Sequence, residues 1–191
     1  MSIHVATEKI DGALIVRFTR PEMRNPLSVE VLKRLHEIVD EIDAATEKLI
    51  FTGSDNIFAS GANLREIAEV DADSAREFSL YGQSLMQKIA DLPMRTIAAI
   101  NGLCFGGALD LALVCDVRIA EPTAEFCHPG VTLGIITGWG GTQRLPRLVG
   151  EAKALEMFMT AKRVSADEAL AIGLIDEIVD DPAAKAIDLL P

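Results

Sequence analysis

The chain has 191 residues, 49% hydrophobic and 25% charged, with 18 Lys and Arg against 29 Asp and Glu for a formal charge of −11. That length and composition support a single packed domain and exclude disorder. The acidic balance opposes a polyphosphate backbone at long range, so no nucleic-acid partner is expected; the longest uncharged run, Phe126 to Gln143, is broken by Pro129 and several glycines, so no membrane span is expected either.

Alternation in Ile3 to Thr7 and Ala13 to Phe18, joined through Asp11-Gly12, predicts an opening hairpin that breaks at Arg20-Pro21. From Ser28 onward Leu32, Leu35, Val39 and Ile42 recur at helical spacing, away from Glu30, Lys33, Glu37 and Glu41, which predicts an amphipathic helix on a sheet. Lys48 to Thr52 reads as a buried strand, Ser54 to Gly61 as turn-rich chain and Asn63 to Ala68 as helix-compatible. Ser74 and Glu77 form a capping-box pattern before a helix with Phe78, Tyr81 and Leu85 on one face. Ile97 to Ile100 is an apolar strand, Asn101-Gly102 a turn, Ala108 to Val114 a helix and Val117 to Ala120 a further strand. Gly134 to Gly141 is a glycine-rich loop before a helix start at Thr142. Ser165 with Glu168 is a second capping box, Gly173 closes that helix, and Leu174 to Val179 reads as the last strand. Strand and helix alternate through short connections, which argues for one α/β domain.

Glycine at a helix N-terminus lets a ligand oxygen approach the unpaired amides there, and Gly106-Gly107 before Ala108 is such a place. Tight packing of the helix on its strand explains the pair equally well. Ser60-Gly61-Ala62-Asn63 is a second small-residue turn leading into a helix, and two such turns could converge on one oxygen. Paired amides aimed at a thioester or ester oxygen stabilise an enolate, and losing one donor typically costs ~3 kcal/mol of barrier. The glycine spacing is neither GxGxxG nor GxxxxGK[ST], which speaks against dinucleotide and nucleoside triphosphate binding, and no GxSxG occurs. Cys104, Cys115 and Cys127 are odd in number and lack CxxC spacing, as unpaired thiols in a reducing, cytoplasmic setting would be; Glu8, Lys9 and Asp11 interrupt any secretory leader. His4, His36 and His128 show no grouping that suggests a metal site.

Four segments together resemble the crotonase superfamily, the enoyl-CoA hydratases and isomerases: RPEMRNPL at Arg20 to Leu27, FASGANLRE at Phe58 to Glu66, INGLCFGGALDLA at Ile100 to Ala112 and GGTQRLP at Gly140 to Pro146. The likeness runs in order from about Val5 to Val179 and implies a crotonase-like spiral of ββα units acting on an acyl-CoA thioester, with CoA part of the substrate and no separate cofactor. By position it makes the amides of Ala62 and Gly107 an oxyanion hole. It places Met23, Arg24, Leu64 and Arg65 against CoA, and Ser60, Asn63, Gly106, Gly130, Gly138 and Trp139 around the substrate. Two arginines suit CoA phosphates on an otherwise acidic protein.

Hydratases of the superfamily use two glutamates. This chain has Asp110 at the first position, one methylene shorter, and Gly130 at the second, which supplies no titratable group. Asp110 fits a proton-handling carboxylate, its pKa raised among Leu109, Leu111 and Leu113, although a helix-stabilising first-turn aspartate is the plain alternative. His128, beside Pro129, reads first as a loop or packing residue and second as a substitute acid or base. Trp139 either shapes the acyl pocket or simply packs. The expected organisation is a core domain over residues 1–180 and a short tail over 181–191, without the C-terminal helices with which the superfamily covers the acyl site and builds trimers or hexamers. The expected activity is hydration of a 2-enoyl-CoA, with enoyl-CoA isomerisation, acyl-CoA decarboxylation and non-catalytic acyl-CoA binding as alternatives.

Overall fold

The computed structural model describes residues 4–190. The hairpin pairs β1 (Val5–Ile10) with β2 (Ala13–Phe18) antiparallel, through Asp11 and Gly12 at φ 48° and 75°, the mirror-image turn that suits the twist of two strands. The expected start at Ile3 lies outside the described residues. Ser28 caps α1 (Val29–Asp40) by accepting from the Val31 amide, and Val31, Leu32, Leu35, Ile38 and Val39 form its buried stripe.

A main sheet carries the chain. Its order is β1-β2-β4-β7-β9-β12, with β4 (Lys48–Thr52), β7 (Arg95–Ile100), β9 (Val117–Ala120) and β12 (Glu177–Ile178) all parallel to β2. Leu14, Val16, Leu49, Phe51, Ala98 and Ile100 face the main core, whereas Ala13, Ile15, Ile50, Ile97, Ala99 and Ile119 face the opposite side. Burial on both faces is why the middle of β4, Leu49 to Phe51, and the end of β7, Ile97 to Ile100, read as unbroken apolar runs.

Stretches that carry no strong sequence signal build the rest of the spiral. After each of the three strands β4, β7 and β9 the chain adds a short strand to a second parallel ladder: β5 (Ile57–Ala59) follows β4, β8 (Leu103–Phe105) follows β7 and β10 (Glu125–Cys127) follows β9. The order β5-β8-β10 thus repeats β4-β7-β9, as superhelical ββα winding requires. Ser54 to Gly61 is therefore not simply turn, since two- and three-residue strands are too short to show a period. A third ladder joins β3 (Pro26–Leu27) to β6 (Gly61–Ala62), and β11 (Val164–Ser165) closes the second.

The helices are α2 (Leu64–Ala68), α3 (Ala75–Ala90), α4 (Gly107–Val114), α5 (Gly130–Leu133), α6 (Gly141–Val149), α7 (Glu151–Thr160), α8 (Ala166–Ala171) and α9 (Pro182–Asp188). Two cap readings need correction. Ser74 adopts helical dihedrals and does not cap α3; Asp71 Oδ1 instead accepts from the Ser74 amide at 2.8 Å, because a carboxylate three residues upstream competes for it. Ser165 does cap α8, but Glu168 turns away to Lys153 and Lys162. Of the strand expected over Leu174 to Val179, only Glu177–Ile178 pairs. Among the described residues no helix is long and apolar enough to cross a membrane.

The segment after residue 180 is ordered as α9, with Asp181 as N-cap, Pro182 at its first position and Ala186 buried against the far face of the main sheet. Lys48, only 4% exposed, reaches from β4 to donate to the carbonyls of Ile187 and Leu189, placing a cation at the negative end of the helix. Lys48→Met should release those carbonyls, costing roughly 1–3 kcal/mol of stability. Urea unfolding would show the loss, and hydrogen exchange would show it concentrated over 182–188.

Candidate active site

A cleft of about 400 Å³ opens where α4 begins. Its floor depends on glycine. Gly106, the residue before α4, adopts φ 55° and ψ −124°, and Gly61 adopts φ 88°, both conformations that side chains avoid. A methyl group on Gly61 would sit 2.6 Å from the Phe105 carbonyl oxygen and 2.8 Å from the Gly107 nitrogen. The two turns singled out in the sequence therefore meet, with Ser60, Ala62, Gly106 and Gly107 along one wall of the cleft. The amide of Gly107 belongs to the first turn of α4, where no intrahelical acceptor exists.

Trp139 is buried, 3% exposed, and wedged between two helices. A β-carbon on Gly82 of α3 or on Gly107 of α4 would overlap its indole, and Phe78 lies 6.0 Å away between ring centroids. The ring is thus both a packing element and a wall of the cleft. Gly138 lines the cleft too, its carbonyl accepting from Ser79 Oγ at 2.9 Å and Gln83 Nε2 at 2.8 Å. Ile67, Val70, Phe78, Leu133 and Ile136 make the remaining walls apolar.

Asp110 points inward from α4 and is 1% exposed. Its Oδ2 accepts from the Thr137 hydroxyl and, at 3.3 Å, from the Trp139 amide; its Oδ1 lies 3.7 Å from His128 Nε2. Burial raises its pKa from 3.8 to about 6, against the pull of Thr137, the Trp139 amide, Arg144 and the Gly141 amide, which favour the charged form. His128, 2% exposed, is driven by burial from 6.5 down to about 4. Cys104 is also buried, and burial pushes its thiol well above the ordinary 9.0, as befits an inert core residue.

The remaining sequence candidates lie at the rim. The Ser60 amide donates to the Arg24 carbonyl at 2.9 Å and β3 pairs with β6, which bring the turn of Met23 and Arg24 beside Leu64 and Arg65. All four side chains are exposed, Met23 by 46% and Leu64 by 54%, and Leu64 also lines the cleft. Asn63 serves as the N-cap of α2, its Oδ1 accepting from the Arg65 amide. Thr137 escaped sequence reasoning, because nothing in a glycine-rich loop ties one hydroxyl to a carboxylate 27 residues upstream.

The sequence profile described as Enoyl-CoA hydratase/isomerase matches residues 8–187. The chain belongs to this family. It is 38% identical to a short-chain-enoyl-CoA hydratase of Clostridium acetobutylicum over 180 residues, and 40% identical to a crotonyl-CoA hydratase of Syntrophomonas wolfei over 179. These matches cover 93% and 92% of the chain and 69% of each relative. The crystal structure of an enoyl-CoA hydratase from Bacillus anthracis superposes with a TM-score of 0.91 at 36% identity, covering 97% of this chain and 74% of that one. One from Thermoplasma volcanium gives 0.92 at 35%, covering 96% and 75%. The crotonase-like fold is thereby shown.

Within this enoyl-CoA hydratase/isomerase frame, Gly130 does more than omit a carboxylate. A β-carbon there would lie 2.5 Å from the Ile135 carbonyl oxygen, and the Ile135 amide donates back to the Gly130 carbonyl at 3.0 Å. The loop that brings Thr137 to Asp110 thus folds over the space a longer side chain would need.

Two outcomes follow. Gly107→Ala should displace the indole of Trp139, costing about 1–3 kcal/mol through overpacking. As the only tryptophan, Trp139 would report the change by its fluorescence. The second concerns pH. Native Asp110 keeps a proton that the unfolded chain releases between pH 3.8 and about 6, so its contribution to stability falls as pH rises through that window. His128 does the reverse: the unfolded chain gains a proton as pH falls from 6.5 toward about 4 while the native imidazole stays neutral, so its contribution rises with pH. The two trends oppose. Asp110→Asn should therefore show stability rising more steeply from pH 4 to 6.5 than the wild type does, measured by urea unfolding at each pH.

Proposed function

We propose that this family member hydrates a 2-enoyl-CoA, with the Ala62 and Gly107 amides holding the thioester oxygen and Asp110 handling the proton. The observation that carries the reading is an inward-pointing carboxylate at the base of an apolar cleft whose wall is the junction of the 60–62 turn with the start of α4. In the forward direction Asp110 takes a proton from water as the oxygen attacks C3. The C2–C3 π pair moves toward the carbonyl and forms an enolate held by the two amides, and the proton then returns to C2, leaving the carboxylate as it began. The names of relatives at 38% and 40% identity support hydration. CoA enters as part of the substrate, its phosphates meeting Arg24 and Arg65 at the rim. A cytoplasmic homo-oligomer, trimeric or hexameric as in the wider superfamily, is proposed on the same resemblance.

A second reading, isomerisation of a 3-enoyl-CoA, is favoured by one feature: Asp110 is the only carboxylate among the described residues lining the cleft. A single base suffices to move one proton between C2 and C4 across the same enolate. Crotonyl-CoA, a 3-enoyl-CoA and a malonyl-type thioester, assayed side by side, would separate hydration, isomerisation and decarboxylation. Asp110→Asn should lower kcat by about 10²–10⁴-fold with little change in thioester binding. Because the ionised form acts, kcat/KM in the wild type should rise with pH, with a midpoint near about 6, and level off above it. Hydration untouched in Asp110→Asn would refute the assigned role; thioester binding without turnover on any of the three would leave an acyl-CoA-binding protein.

A further inference from the structure

Among the described residues four buried side-chain polar atoms have no hydrogen-bond partner in the protein, and three of them belong to one pair: Asp110 Oδ1 and both ring nitrogens of His128. Unpaired buried polar atoms are destabilising and rare, so three in one place call for a reason. Both side chains line the cleft, and Nε2 stands 3.7 Å from Oδ1, just beyond hydrogen-bond reach. The fold sets this distance. β10 runs parallel to β8, and the Cys127 carbonyl accepts from the Gly106 amide at 2.8 Å, which ties the residue before His128 to the start of α4. On its other side the imidazole lies against Phe158 of α7, ring centroids 5.0 Å apart.

We propose that His128 and Asp110 share one proton across this gap, with His128 the positioning residue that stands in for the second carboxylate missing at Gly130. When Asp110 accepts a proton from water or carbon, its carboxyl O–H donates to neutral His128 Nε2. The proton is retained beside the cleft until it returns to carbon, so the pair gains and loses nothing over a cycle. The Thr137 hydroxyl, donating to Oδ2, leaves Oδ1 as the oxygen for this exchange. The catalytic consequence rests on the enolate reading above, whereas the pairing rests on geometry alone. Burial supports it, holding the imidazole neutral and able to accept while keeping the carboxyl easily protonated. The charged and titratable groups around the pair are few. Arg144 of α6 acts on Asp110, the Cys104 thiol of β8 is kept neutral by burial, α5 carries no titratable residue, and α7 presents Phe158.

Two variants and one spectroscopic measurement test the proposal. His128→Phe keeps a ring against Phe158 but removes the acceptor, and His128→Gln offers an amide oxygen near the position of Nε2. A bond to the protonated carboxyl raises its pKa, so removing it should move the acidic limb of kcat/KM to lower pH, by on the order of one unit. His128→Phe should also lose about 10²-fold in kcat with KM within twofold, and His128→Gln should recover part of both effects. A packing role alone would lower stability and leave the limb in place; an unmoved limb overturns the proposal. Without any substrate, ¹⁵N shifts of the His128 ring should show a step as Asp110 titrates, and the step should vanish in Asp110→Asn. His4 and His36, the only other histidines, provide internal controls. The same His128 titration in wild type and Asp110→Asn would overturn the pairing, whatever the turnover assays show, so failure of the dyad and failure of the acyl-CoA reading are separable.

Discussion

Burying one carboxylate in an apolar cleft is the constraint around which this site is built. Asp110 is 1% exposed, and an ionised group removed from water is costly unless hydrogen bonds replace its hydration. The replacements come from the loop between α5 and α6: the Thr137 hydroxyl and the Trp139 amide, both on Oδ2. That loop can reach Asp110 only because the chain clears a path. Gly82 and Gly107 admit the indole of Trp139, and a β-carbon on Gly141 would overlap Asp110 Oδ1. Glycines on α3, on α4 and at the start of α6 thus serve one purpose, and the only tryptophan fixes the spacing between the helices that flank the cleft.

The arrangement also explains why the second glutamate expected by resemblance cannot simply be restored. At Gly130 the Ile135 carbonyl closes over the position, 2.5 Å from where a β-carbon would stand, and the same loop then continues to Thr137. A side chain there would have to displace the segment that supplies the Asp110 hydrogen bonds. Gly130 thus goes with a loop that encloses Asp110, and the unpartnered imidazole of His128 stands 3.7 Å away.

Outside the cleft, surface and core divide the work differently. Met23, Arg24, Leu64 and Arg65 are exposed at the rim, brought together by pairing of β3 with β6. At the far side of the main sheet, Lys48 holds the end of α9 through two carbonyls, a buried cation that meets the negative end of a helix.

Much of this was readable from residue order. The hairpin at Asp11-Gly12, the apolar stripe of α1, the strands at 48–52, 97–100 and 117–120, and the glycine turn before α4 are local patterns, because helix and strand periods and turn preferences act between near neighbours. The four motifs were enough to identify the family, and Asp110 stood out by position. Other features depended on distant partners: the short strands β5, β8 and β10 gain their hydrogen bonds only from one another, and the Asp181-Pro182 start of α9 has a helix signature that matters only once the sheet offers a face to cover. Likewise Thr137, Trp139 and His128 meet Asp110 from 18 to 29 positions along the chain. Residue order alone determined which groups could do chemistry. Tertiary packing decided which of them would share one cleft, since burial and pairing across the chain are properties of the folded surface and not of any local run.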